Sequence, residues 1–186
     1  MTRTAVLSAL LAAGLFSIAA AASQAPAPRT IEMQKLRDNL YVLTSSTPGD
    51  NNTFSGGNVS VFITSTGVTL VDTKLAGWGQ ALLDDIKKVT DKPVTRVINT
   101  HTHADHTGNN NLFDTGVTFI AQENTKTNME KMAQFKDANA KFLPSQTFST
   151  NMTIGSGNER GREDQVRLFE VFVSPDDDRS RRPRCG

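Results

Sequence analysis

Cysteine is nearly missing from this chain: Cys185 stands alone, one residue from the end. No internal disulfide can form, so stability has to come from packing or from a bound metal. An excess of charge of either sign is missing as well. Twenty basic residues against 19 acidic ones leave a formal net charge of +1, which removes any long-range pull toward a polyanion and argues against a nucleic-acid partner. Histidine is scarce too, with three residues in 186. Yet His101, His103 and His106 all fall within six positions of one segment, VINTHTHADHTGNNNLF (97–113).

The rest of the composition is that of a folding chain. A hydrophobic share of 37% can supply a core for one domain of ordinary size. The first 25 residues, MTRTAVLSALLAAGLFSIAAAASQA, place Arg3 ahead of an apolar run from Ala5 to Ala22 and then small residues. This is the layout of a secretory signal, with cleavage after Ala22 or Ala25. A membrane anchor is the competing reading, because about 18 apolar residues reach the lower limit for spanning. The alanine richness and the small residues at its end favour the signal, so the expectation is an exported, periplasmic or secreted protein without a stable membrane anchor. Residues 26–30 read as a linker to the folded part.

Beyond the linker, the periodicity alternates between strand and helix. IEMQKLRDNLYVLTS predicts two short strands with a tight turn near Asp38 and Asn39, and the polar stretch TPGDNNTFSGG (47–57) predicts a loop, either a flap over a cleft or a disordered connection. NVSVFITSTGVTLVDTK predicts a hairpin turning at Ser65–Gly67, with Phe62 and Val71 opposite the main apolar positions and burial therefore on both faces. Leu82, Leu83, Ile86 and Val89 form a helical stripe between Trp78 and Thr90, and Asp84 with Lys88 forms an i,i+4 pair. A strand over 94–99, a short helix around 109–113, a strand over 116–121 and a helix over 122–136 follow, the last with Met129, Met132 and Phe135 as core stripe. A weak strand near 150 and another over 165–173 complete the α/β alternation.

The histidine segment starts where the strand over 94–99 ends. In extended backbone His101 and His103, at i and i+2, point the same way and can converge on one ion, while Asp105 and His106 diverge from that pair and can serve a second. Imidazole suits borderline metals, and carboxylate adds a hard ligand of opposite charge. Two ions about 3.5–4 Å apart can acidify a bridging water, and Asp105 is the candidate catalytic group to orient it. Gly108 permits close approach or an unusual dihedral just after the cluster. Asp72, ending a buried strand, fits a supporting role behind the ligands rather than among them.

GGNVSVFITSTGVTLVDTK and NTHTHADHTGNN, the latter with HxHxDH at 101–106, together resemble the metallo-β-lactamase fold superfamily of metallohydrolases over about residues 31–173. The resemblance implies an αββα sandwich with the site at one edge of its two sheets, a small-molecule substrate, and two zinc ions. It assigns His101 and His103 to the first zinc, Asp105 and His106 to the second, and Asp72 to a nearby aspartate that is not usually a ligand. Hydrolysis of an ester, thioester or lactam carbonyl by metal-activated water is the activity it implies, with a glyoxalase-II-like thioesterase as an alternative.

The chain departs from that pattern after Val173, where SPDDDRSRRPRCG holds no histidine. The third ligand of the first zinc and the last ligand of the second have no counterpart, so both zinc sites are expected to be incomplete and the C-terminal half of the sandwich missing. Composition breaks too, and earlier, from residue 157. Residues 1–156 hold four arginines and nine lysines, whereas 157–186 hold seven arginines and no lysine, as a reading-frame change or misjoined terminus would produce, and 174–186 read as a charged tail of doubtful origin. A non-catalytic zinc-binding protein and an inactive fragment are therefore rival expectations to an active hydrolase.

Overall fold

The computed structural model describes residues 31–45, 53–113, 116–154 and, as backbone, 166–168. The signal, the linker, the first part of the 47–57 loop and the charged tail lie outside the described residues.

Seven strands form one mixed sheet in sequence order: β1 (Glu32–Arg37), β2 (Leu40–Thr44), β3 (Val59–Ile63), β4 (Val68–Val71), β5 (Val94–Asn99), β6 (Thr118–Gln122) and β7 (Gln146–Phe148). The first four make an antiparallel meander, because each connection returns the chain beside itself. The turn between β3 and β4 closes through Thr64 N–H to the Gly67 carbonyl at 2.8 Å. Gly67 has φ 153°, and a side chain there would run into Pro93 and Thr95. From β4 onward the strands are parallel, and parallel neighbours need crossovers. The crossovers carry helix α1 (Gly79–Lys87), the four-residue helix α2 (Ala104–Thr107) and helix α3 (Glu123–Met129).

The period-two pattern of the strands sorts the core into two layers. Leu43, Val59, Val61, Val68, Leu70, Val97 and Phe119 share one face and pack with Trp78, Leu82, Ile86, Met129, Phe135 and Phe142. Ile98, Ile120 and Phe148 point the other way and pack with Val71, Met152 and Ile154. Met152 and Ile154 belong to β8 (Met152–Ile154), which pairs antiparallel with β9 (Val166–Leu168) in a separate two-stranded sheet. Helices therefore lie on one face of the large sheet and a second sheet on the other. Among the described residues no helix is long and apolar enough to cross a membrane.

Several local expectations need correction. The helix expected over 122–136 ends at Met129 and continues as two 3-10 segments, Ala133–Phe135 and Asp137–Phe142. Its start is set by Gln122, whose side chain accepts from Asn124 N–H at 2.5 Å. Met129 and Phe135 are buried and Met132 packs beside them, so the apolar stripe survives although the regular helix does not. The short helix near 110 is a 3-10 turn, Asn110–Leu112. Lys88 pairs with Asp85 at 2.5 Å rather than with Asp84, which instead accepts from Gln80.

Helix α1 is anchored by Leu82 and Ile86, both on its sheet-facing stripe. Its first residue, Gly79, touches Leu112 and Asn109 so closely that any side chain would collide with them. Leu82 is fully buried, so Leu82→Ala is expected to lower stability by about 2–5 kcal/mol, read as a lower midpoint at unchanged slope in urea unfolding. A loss under about 0.5 kcal/mol, the size of a surface change, would contradict this packing.

Candidate metal centre

The site forms where β4 and β5 end. Beyond Val71 the chain turns through Asp72 (φ 68°) and Lys74 (φ 67°), left-handed conformations that cost a residue with a side chain about 1–3 kcal/mol each. Hydrogen bonds hold the turn in place. Thr73 N–H donates to the His106 carbonyl at 2.7 Å and Gly108 N–H to the Lys74 carbonyl at 3.1 Å. The Asn109 side-chain amide donates to the carbonyls of Thr73 at 2.6 Å and Leu75 at 2.8 Å. Below it, Asn99 and Asn110 exchange a reciprocal pair of amide hydrogen bonds at 2.8 and 3.2 Å, and the Thr73 hydroxyl donates to Asn110 Oδ1 at 3.0 Å. These groups are buried, and burial is tolerable only because they satisfy one another.

Asp72 is 2% exposed and accepts three hydrogen bonds. Thr100 N–H reaches Oδ1 at 2.8 Å, while the Thr100 hydroxyl and His106 Nδ1 reach Oδ2 at 2.7 Å each. The Thr100 oxygen also lies 2.9 Å from His101 Nδ1. A hydroxyl has one proton and an ionised carboxylate accepts only, so Thr100 gives its proton to Asp72 and receives one from His101 Nδ1–H. Both His101 and His106 therefore carry Nδ1–H, and the neutral ring of each keeps a free lone pair on Nε2. In the sequence, Thr100 carried no signal beyond its place between strand end and first histidine.

The three imidazoles gather. The His101 ring centroid lies 4.0 Å from that of His106 and 4.7 Å from that of His103. Asp105 Oδ2 approaches His106 Nε2 at 3.4 Å. His101 and His103 lie before the helix, in non-helical backbone, while Asp105 and His106 lie within it. The chain enters α2 at Ala104, and the helical turn swings His106 back over His101. Gly57 makes room for it, since a side chain there would fall inside the His106 ring, and Gly57 N–H donates to the Asp105 carbonyl at 3.1 Å. Gly108 has an ordinary φ of −64°. Its role is close approach, against Ala76 N and the carbonyls of Ala104 and Lys74.

Protonation follows the surroundings. The hydrogen bond to Asp72 holds His106 above the usual imidazole value, against the opposing effect of burial. Burial, and then the neighbouring charge of His106, hold His101 below it. Lys74 is fully buried, with no hydrogen-bond partner for Nζ among the described residues; desolvation lowers its pKa to about 8, with Asp85 opposing. No periodicity marked Lys74 in the sequence.

Nitrogen lone pairs on His101 and His106 and the carboxylate of Asp105 match zinc in kind, and Asp72 behind His106 is the usual support for a ligating imidazole. In arrangement the match is partial. Among the described residues no group of three or more His, Cys, Asp or Glu side chains is disposed to hold a metal ion, so these residues do not compose a complete metal site.

With this geometry in view, the family model of the metallo-beta-lactamase superfamily matches residues 52–140. A metallo-beta-lactamase from Pontibacter korlensis superposes with a TM-score of 0.57 at 24% identity, over 75% of this chain and 60% of that one. The chain has the metallo-β-lactamase superfamily fold. DIM-1 metallo-beta-lactamase, in a crystal exposed to ceftazidime, superposes with a TM-score of 0.53 at 17% identity over 79% of this chain and 67% of that one. TMB-1 follows with 0.52 at 16% identity, over 68% and 56%. The chain thus spans about 60% of the length of the first of these structures. No curated protein matches the chain.

Two outcomes follow from the electrostatics. Asp72→Asn is expected to lower the titration midpoint of His106, because the carboxylate that favours its imidazolium is gone. With three histidines in the chain, ring-proton NMR can follow each one, and an unmoved His106 would sink this account. For Lys74, the native value of about 8 lies below the ordinary 10.5. The unfolded chain thus binds more protons between those two pH values, and stability rises with pH across that window. Lys74→Met should abolish this rise and gain roughly 1–3 kcal/mol at pH 7; urea unfolding from pH 7 to 10.5 of both proteins measures it.

Proposed function

We propose that the chain is the histidine-bearing portion of a zinc-dependent metallohydrolase, with His101, His103, Asp105 and His106 as metal ligands and Asp72 as the carboxylate that orients them. The observation that carries this reading is the shared fixation of His101 and His106. Both Nδ1 atoms are committed to the Asp72–Thr100 pair, which leaves both Nε2 atoms for a ligand. When bound, the metal would supply an activated water for attack on an ester, thioester or lactam carbonyl of a small molecule, and Asp105 would orient that water. The names of the structural neighbours favour a lactam, and a glyoxalase-II-like thioesterase remains the alternative substrate class. The leader-like residues 1–25 support export.

A second reading has an observation of its own. Because the described residues do not complete a metal site, zinc binding without turnover is the behaviour proposed for this chain by itself, and hydrolysis is proposed for a protein with the full ligand set.

Zinc titration against a chromogenic chelator, run alongside hydrolysis of a chromogenic β-lactam and a thioester, tests both. Binding is expected to be weak, to fall at least about tenfold in the His101→Ala/His103→Ala variant, and to bring little or no turnover. Zinc affinity unchanged in that variant would overturn the ligand assignment. Efficient hydrolysis by the unmodified chain would overturn the proposed incompleteness.

A further inference from the structure

The helix that carries Asp105 and His106 has a second side. At 100° per residue, Ala104, Thr107 and Gly108 fall on one face of α2 and its continuation, away from Asp105 and His106. That face borders a half-open pocket of about 170 Å³, lined also by the buried Phe135 and Phe142 and the exposed Asn111, Gln134 and Asn139. The two phenyl rings are buried, and Phe142 is braced edge-on by Phe119, with ring centroids 6.1 Å apart.

We propose that this cavity is a binding site for a small, neutral, planar amide, separate from the histidine cluster. The charge state follows from the lining. No ionisable side chain lines it, so a charged ligand would lose hydration without a partner. The polar groups at the edge are carboxamides. Gln134 Nε2 donates to the Thr107 hydroxyl at 2.9 Å, which fixes the Gln134 amide and leaves its oxygen as an acceptor. The side-chain amides of Asn111 and Asn139 make no hydrogen bond among the described residues, and each offers a donor and an acceptor. A ligand amide has the matching pair, and its flat body suits the phenyl walls. Volume limits the body to a single ring. At ~30 Å³ per water the cavity has room for about five or six waters, well below the 300–1,000 Å³ or so of pockets for drug-sized ligands.

Benzamide is the probe. Saturation-transfer NMR on the full chain, with chelator present, is expected to show binding at millimolar concentration, with benzoate and toluene at least tenfold weaker. Asn111→Leu/Asn139→Leu changes two exposed residues and should weaken benzamide at least tenfold with the far-UV circular dichroism unchanged. The His101→Ala/His103→Ala variant should bind benzamide as the parent does, so failure of the metal reading leaves this result standing. Absence of transfer from benzamide, benzoate binding as well as benzamide, or an affinity indifferent to the asparagine changes would each overturn the proposal.

Discussion

One carboxylate organises the end of the sheet. Asp72 follows β4 and accepts from the residue that follows β5 and from the last histidine, on α2. Groups 28 and 34 residues further along the chain thus meet on its two oxygen atoms. The left-handed backbone at Asp72 is what turns the carboxylate toward them, at a cost that three charge-assisted hydrogen bonds can offset at about 1.5–3 kcal/mol each. The same bonds fix which nitrogen of His101 and His106 carries a proton. Backbone geometry, hydrogen bonding and ring tautomer are in this way a single constraint, and none can be altered alone.

The layers behind the site are built differently. Along most of β3 to β6 the buried positions are Val, Leu, Ile and Phe, held by shape and the exclusion of water. At the carboxyl ends of β4 and β5 the buried positions become Thr73, Asn99, Asn109 and Asn110, held by directed bonds. That is the end at which parallel sheets collect ligands. Apolar packing there would leave the left-handed turn at 72–74 without donors for its carbonyls. The amide network supplies them and gives the histidine segment a rigid base. Lys74 is the exception, a buried cation whose ammonium meets no acceptor among the described residues, and desolvation lowers its pKa against the opposing charge of Asp85.

Much of this was legible in the sequence because the signals were periodic or compositional. Strands β3, β4 and β5 and helix α1 follow from alternation and from a 3.6-residue stripe, and their observed ends lie close to the expected ones. The break of the helix at Met129 was not legible. Met132 and Phe135 keep helical spacing, and 3-10 segments bury them as a regular helix would, so the pattern records burial without recording which helix achieves it. HxHxDH marked the histidine segment, but the short helix that begins inside it left no mark in the sequence. His103 is extended, with φ −60° and ψ 144°, as the i,i+2 spacing assumes, and the chain turns helical only from Ala104. Thr100, Asn99 and Asn110 escaped because a short polar side chain near a turn is common, and only the three-dimensional meeting of strand ends gives these their partners.

Helix α2 shows how far tertiary contacts replace intrinsic stability. Four residues make little more than one turn, far below the length at which a helix is stable alone. His103 initiates it without a side-chain cap. It persists because its surroundings hold it at several points. Thr73 binds the His106 carbonyl, Gly57 binds the Asp105 carbonyl, Thr107 returns its hydroxyl to the His103 carbonyl, and Gln134 reaches across to Thr107. The first two of these bonds enter from strand ends and loops around the histidines, and the last from the 3-10 segment beside the cavity. The orientation of Asp105 and His106 therefore depends on packing from both sides of one short turn, so the region around residues 133–142 bears on the histidine cluster although it contributes no side chain to it.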